Sequence, residues 1–156
     1  YGPMFNVPVY ATELKLEFKI KEYKFRGIID RVDKTKDGKW VITDYKTSKR
    51  PKTERQAMND IQLALYQIAV EQNFGQVEEI SLTWHFLRIG SEVTVLHTRD
   101  ELEKLRKKLI KSADKINNCL GNEINFLPKE SILCHWCYLW EECTAKVGPN
   151  PVKRAD

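Results

Sequence analysis

Residues 12–20, TELKLEFKI, set Leu14, Leu16, Phe18 and Ile20 in strict alternation with Glu13, Lys15, Glu17 and Lys19. A side-chain period of two belongs to an extended strand with one buried face and one solvated face, and a helix cannot satisfy it. The next segment, YKFRGIIDRVDK, keeps the strand character. After the turn signal Lys36, Asp37 and Gly38, the run WVITDYKT is dominated by β-branched and aromatic residues. Three consecutive strands with short turns predict an antiparallel meander.

The rest of the chain alternates helix with strand. Over residues 53–71, Ala57, Ile61, Leu65, Ile68 and Ala69 recur at three- to four-residue spacing, which predicts an amphipathic helix with Thr53 as N-cap and an end near Phe74 and Gly75. Residues 78–97 hold two further strand-like runs, EISLTWHFL and EVTVLHT, broken hairpin-fashion at Arg88, Ile89, Gly90 and Ser91. Residues 99–120 carry a Leu102, Leu105, Leu109, Ile116, Leu120 stripe opposite a charged face, a second helix. These elements predict an α/β fold, a central mixed β-sheet flanked by α-helices. Trp40, Val41, Ile42, Ile61, Leu65, Leu82, Trp84 and Phe86 are expected largely in its core.

With 156 residues the chain has room for one full domain. The composition shifts after Pro128 to cysteine and aromatics and then to a Gly/Pro/Lys tail. Residues 1–127 are therefore read as the core and 128–156 as a short Cys-rich segment with a mobile tail. At 42% hydrophobic and 31% charged residues, intrinsic disorder is excluded. The net charge of +4 permits attraction to phosphate without amounting to a polycationic arm. No apolar run reaches the ~18–20 residues of a membrane helix, and the first residues have no basic-then-hydrophobic leader, so no membrane association is expected and the chain reads as cytoplasmic. It opens on the approach to a strand with no initiating Met and no preceding helix, which reads as a piece of a longer protein.

The chemistry lies where the second and third strands end, in Gly27-Ile28-Ile29-Asp30-Arg31-Val32-Asp33 and Asp44-Tyr45-Lys46. If these strands are antiparallel neighbours, Asp30 and Asp44 lie side by side at one end of the sheet. Alternation puts Asp44 and Lys46 on one face and Tyr45 on the other. Two hard oxygen donors suit Mg²⁺ or Mn²⁺, which retain waters and accept substrate phosphate as further ligands. A lysine beside them can offset charge that develops on a phosphate under attack. On spacing alone, a solvated ion pair worth ~0–1 kcal/mol at the strand ends fits about as well.

Taken with Thr47-Ser48-Lys49 and with Gln62 and Tyr66 four residues apart on the next helix, these segments resemble the RecB-like branch of the PD-(D/E)XK nuclease superfamily, in the family's order and over roughly residues 13–66. The resemblance implies a restriction-endonuclease-like core. It implies metal at Asp30, Asp44 and the Tyr45 backbone carbonyl, and catalytic roles for Asp30, Asp44, Lys46, Gln62 and Tyr66. DNA is the implied partner, single-stranded or at ends, with contacts from Arg31, Lys49, Arg50, Gln62 and Tyr66. From the residues alone, Gln62 and Tyr66 share a helix face, and Arg31, Lys49, Arg50, Lys52 and Arg55 flank the constellation as either phosphate contacts or a solvated basic loop. Glu13 and Glu17 hold positions suited to an earlier acidic residue of the family. The metal-binding His that related enzymes carry on an upstream helix has no counterpart here, and His85 and His97 read as ordinary surface or packed histidines.

Cys134, Cys137 and Cys143 fall within ten residues, with CxxC spacing that lets two thiolates grip one metal. The segment is similar to the C-terminal iron-sulfur motif of AddB and of the CRISPR adaptation nucleases. That resemblance implies a [4Fe-4S] cluster with a fourth thiolate from far upstream, and zinc is the alternative. Cys119 reads as a small buried hydrophobe in its helix. The resulting expectation is a Mg²⁺- or Mn²⁺-dependent deoxyribonuclease, more an exonuclease than an endonuclease, serving DNA repair, recombination or CRISPR adaptation, with a helicase or other subunit as possible partner. The competing expectation is a catalytically silent DNA-end-binding or assembly module of a helicase-nuclease complex.

Overall fold

The computed structural model describes residues 8–75, 77–121 and 126–145. It holds five strands, β1 (Val9–Ile20), β2 (Tyr23–Lys34), β3 (Trp40–Lys46), β4 (Ile80–Phe86) and β5 (Ser91–Val95), and three α-helices, α1 (Glu54–Met58), α2 (Ile61–Phe74) and α3 (Arg99–Cys119). Two short 3-10 turns, Ile132–Trp136 and Trp140–Glu142, lie in the Cys-rich segment. The chain divides into two compact units, Tyr1–Ala113 and Asp114–Asp156. The tail expected to be mobile lies outside the described residues.

The strands form one sheet in the order β1-β2-β3-β4-β5. β1, β2 and β3 are the expected antiparallel meander. β3 and β4 run parallel, and the α1–α2 segment supplies the crossover that parallel neighbours require. The β2–β3 and β4–β5 turns are tight because Gly38 and Gly90 take positive φ, 84° and 62°, which side chains with a Cβ rarely adopt. The α/β class with a mixed, helix-flanked sheet is the one the sequence predicts.

Alternation operates in β1 as expected: Leu16, Phe18 and Ile20 are buried and Lys15, Glu17 and Lys19 exposed. The core joins these to Ile29, Val32, Ile42, Leu82, Trp84 and Phe86 of the sheet, to Leu63, Ile68 and Val70 of α2, and to Leu102, Leu105 and Leu109 of α3. Of the expected core, Trp40, Ile42, Leu82, Trp84 and Phe86 are buried, Ile61 and Leu65 pack partly buried against it, and Val41 is half-buried.

Two expectations are corrected. The single helix over residues 53–71 is two helices. Thr53 caps α1 with a capping box, as predicted, but Asp60 starts a new helix by accepting hydrogen bonds from the backbone N–H groups of Gln62 and Leu63. The stripe of α3 is buried only along its first part, since Ile116 is 57% and Leu120 69% exposed. Among the described residues no helix is long and apolar enough to cross a membrane.

Candidate active site

The β2–β3 register pairs Arg31 with Thr43, and one step further lie Asp30 and Asp44. Directly opposed residues of antiparallel strands share a face, so the two carboxylates project together at this end of the sheet. Asp44 is 2% exposed, and Asp30 is half-buried. The backbone N–H of Tyr45 donates to Asp30 Oδ2 at 2.9 Å, which ties β2 to β3 at this point.

Lys46, two residues beyond Asp44 on the same face, forms an ion pair with Asp44 Oδ2. Its ammonium also donates to Gln62 Oε1 at 3.1 Å, and Gln62 Nε2 donates to the Tyr66 hydroxyl at 2.7 Å. The contacts thus run as a chain from Asp44 through Lys46 and Gln62 to Tyr66, whose hydroxyl lies within reach of the Asp44 and Asp30 charges. Gln62 and Tyr66 are one turn apart on α2, and the Asp60 cap fixes where that helix begins. A sheet end and a helix N-terminus are thereby locked together through polar side chains.

The electrostatics follow from burial. Desolvation raises the Asp44 carboxyl above its ordinary range; Lys46 pulls it down, and the charges of Asp30 and Asp60 push it up. Tyr66 is pushed up to about 12, first by burial and then by the Asp44 and Asp30 charges, against the Gln62 hydrogen bond. It is a neutral O–H donor at physiological pH.

The donor set fits a divalent cation. Asp44 Oδ2 is buried without a hydrogen-bond donor, its Lys46 contact being an ion pair without hydrogen-bond alignment. A second carboxylate stands beside it. Mg²⁺ is commonly held by one or two carboxylates with water and substrate phosphate. The site therefore does not need a larger cluster, and among the described residues no group of three or more His, Cys, Asp or Glu is gathered to hold a metal. By the same finding Cys134, Cys137 and Cys143, each half-buried and none in a disulfide, are not assembled as a metal site.

Other sequence candidates stand elsewhere. Arg31 is 7% exposed and its Nε donates to both carboxylate oxygens of Asp33 at 2.9 Å. Burial works against its charge, but hydrogen bonds to Asp33 and Tyr45 hold its pKa above the usual value. Being one residue from Asp30, it points to the opposite sheet face, where Tyr45 also meets His85 and His85 Nδ1 lies 2.6 Å from Glu92 Oε1. Lys49 and Arg50 are exposed on the loop after β3, and Glu13 and Glu17 are exposed on β1. His85 and His97 are both packed, at 7% and 9% exposure. Cys119 is half-buried.

One residue near the site was missed from the sequence: Asp60, which adds a third nearby carboxylate. An aspartate directly before the apolar run Ile61-Gln62-Leu63 is a helix-start signal that could have found Asp60. Lys52, expected as a phosphate contact or part of a solvated basic loop, sits 4.3 Å from the Trp84 ring centroid and 3.7 Å from Asp60 Oδ2.

A sequence profile of the PD-(D/E)XK nuclease superfamily matches residues 6–144. No curated protein matches the chain closely enough to stand as a relative. A crystal structure from Eubacterium rectale, of a protein whose name proposes an exonuclease, superposes with a TM-score of 0.56 at 14% identity, over 99% of this chain and 59% of that one. The structure of SSO0001 superposes with a TM-score of 0.41 at 16% identity, over 88% of this chain and 61% of that one. The chain thus spans about three fifths of the length of these solved structures. At 14% identity the first of them bears on the fold alone. The profile match covers most of the sequence, and the chain belongs to the PD-(D/E)XK nuclease superfamily.

Proposed function

We propose that the protein is a Mg²⁺- or Mn²⁺-dependent deoxyribonuclease, acting as an exonuclease, with Asp30, Asp44, Lys46, Gln62 and Tyr66 as its working residues. The observation that carries this reading is the chain of contacts from Asp44 through Lys46 and Gln62 to Tyr66, with Asp30 alongside Asp44. A surface ion pair would not join a buried carboxylate to a helix through three polar side chains. Asp30, Asp44 and the Tyr45 carbonyl would hold the cation, which when bound polarises a phosphoryl oxygen and makes water a better nucleophile. Lys46 offsets charge on the phosphate as the bond breaks, and Gln62 holds the ammonium in place. Tyr66 accepts a hydrogen bond from the Gln62 amide and so keeps Gln62 oriented toward Lys46. Exposed Lys49 and Arg50 contact backbone phosphate. Arg31, committed to Asp33, would need to break that pair to do the same.

The direct test is cleavage of labelled DNA by the full chain with Mg²⁺, Mn²⁺ or EDTA. Products only with a divalent ion support the reading, and equal cutting in EDTA refutes it. A more specific expectation concerns α2. Because Tyr66 is buried, Tyr66→Ala would also open a cavity, so Tyr66→Phe is the informative change. Each change breaks the Gln62 link that steadies the Lys46 ammonium, so Tyr66→Phe and Gln62→Ala should each slow turnover by roughly tenfold. A lost hydrogen bond at ~0.5–1.5 kcal/mol should lower the melting temperature by only a few degrees. Lower stability with undiminished specific activity would make these two residues structural.

For the wider setting we propose a role in DNA repair, recombination or CRISPR adaptation, with a helicase or other subunit as partner. The cysteines carry a narrower proposal, that Cys134, Cys137 and Cys143 ligate a [4Fe-4S] cluster, or zinc in its place, with CxxC spacing as its support. Anaerobic purification followed by iron, sulfide and zinc analysis should return iron with sulfide. Stoichiometric zinc without sulfide would replace the cluster, and neither metal would remove the site.

A further inference from the structure

A cleft of about 470 Å³ opens beside this site, between the β1–β2 hairpin and the first turns of α2. Gln62 and Tyr66 form one of its walls, so it is continuous with the carboxylate–lysine site. The rest is mainly apolar. Half-buried Phe25 is stacked on Phe18, with ring centroids 5.5 Å apart at 16°, and Leu65 and Ile28 complete the lining. Ile28 is 43% exposed, a large apolar side chain at the open rim. Opposite α2 stands Gly27, where a Cβ would come to 3.8 Å from the Tyr66 ring, so any bulkier residue would grow into the cleft. Exposed Arg26 also lines it and supplies a cation.

We infer that this cleft receives an unstacked nucleobase of the DNA strand, next to the phosphate held at Asp30 and Asp44, and that the strand is therefore single-stranded there. The inference rests on the nuclease reading of the site. A volume of 470 Å³ lies within the ~300–1,000 Å³ of small-molecule pockets. A base presents two flat faces, and stacking on aromatic side chains holds it without regard to sequence. A strand whose phosphate meets the carboxylates must place a neighbouring nucleotide close by, and Gln62 and Tyr66 belong to both places. Arg26 matches the phosphate that follows that base. A paired base enters such a cleft only after unstacking and unpairing, which favours single strands.

The larger cavity, about 780 Å³, is a weaker candidate. Several of its polar groups are engaged with one another or with backbone, His97 with Gln67 and the Met58 carbonyl, and Glu71 with Arg106. Neither site carboxylate lines it.

The test uses the full chain and a set of single-stranded oligonucleotides in which one abasic nucleotide is moved through each position flanking the cleaved bond. Cleavage is measured in Mg²⁺ and binding in EDTA. At one flanking position the abasic substitution should lower kcat/KM by about tenfold. Phe25→Ala should lose about as much on intact DNA and be indifferent to the abasic site. Ile28→Glu, at an exposed rim position that folding tolerates, should behave alike. The wild-type chain should prefer single strands over duplex by a similar factor. The inference is overturned by an equal abasic penalty in wild type and variants, by no penalty at any position, or by preference for duplex. Cleavage without a base effect overturns the cleft assignment alone, whereas failure to cut any DNA overturns the nuclease reading with it.

Discussion

Replacing Lys46 with methionine is expected to reduce DNA cleavage by on the order of 10³-fold while leaving DNA binding within a few-fold of wild type. Removal of one preorganised charge or donor aimed at a developing anion commonly costs ~10²–10³ in rate, and here the same change also frees Gln62 from its partner. Methionine fills the space of the lysine stem, so the loss isolates the ammonium. Folding should be weakened but not lost: the Lys46 side chain is 30% exposed, yet methionine leaves the buried Asp44 carboxylate without its counter-charge, so its proton is held more tightly in the folded state. The measurement is single-turnover cleavage at saturating protein, with binding followed by anisotropy and folding by thermal melt. Undiminished cutting by the variant would sink the catalytic assignment. A loss of cutting that merely tracks a loss of folded protein would sink it as well.

The sheet was legible in the sequence because burial of one face writes itself as alternation. TELKLEFKI could be placed as a strand from its pattern alone, and Gly38 and Gly90 announce the turns that fix the register. The break between α1 and α2 was hidden because apolar spacing runs unbroken across it. Periodicity counts which residues are apolar, whereas the break comes from the Asp60 side chain capping Gln62 and Leu63. The end of α3 shows the converse. Ile116 and Leu120 continue the stripe in sequence but lie exposed, since a pattern states what a face could bury and not whether anything packs on it.

Within the candidate site, Asp44 and Lys46 follow from local alternation, and Asp30 follows once β2 and β3 are taken as antiparallel. Gln62 and Tyr66 stood on resemblance to a family. Their hydrogen bonds to Lys46 and to each other could not be derived from spacing, because the pairing crosses from sheet to helix. Arg31 illustrates the limit most clearly. It is one residue from Asp30 and looks like a phosphate contact, yet alternation turns it to the other face, where Asp33 takes up its charge. The cleft lined by Phe18, Phe25 and Leu65 was invisible for a similar reason, since its walls come from separate elements.

Asp44→Asn is expected to invert its stability relative to wild type when divalent cation is added. Without cation, burial is the first cause of the raised Asp44 carboxyl, reinforced by Asp30 and Asp60 and only partly offset by Lys46. A carboxyl whose folded pKa lies above its unfolded value binds its proton more tightly in the folded state. The group then carries no penalty below the unfolded value, and stability is lost as pH rises from there through the folded value. At neutral pH the ionised Asp44 therefore costs stability, and asparagine, which cannot ionise, should raise the melting temperature on the order of 2 °C. Added Mg²⁺ should act the other way on the native carboxylate. Cation at roughly 100 times its Kd stabilises the folded state by about 2.7 kcal/mol. For a chain of 156 residues that is a rise of about 5–10 °C in wild type, and the variant, lacking the charge on Asp44, should respond far less. Thermal melts of both proteins across a Mg²⁺ titration at fixed ionic strength separate this from general salt effects, with NaCl as the control. Equal cation response in the two proteins would remove Asp44 from the proposed ligand set. A lower melting temperature for the variant without cation would mean that the Lys46 pair outweighs the buried charge.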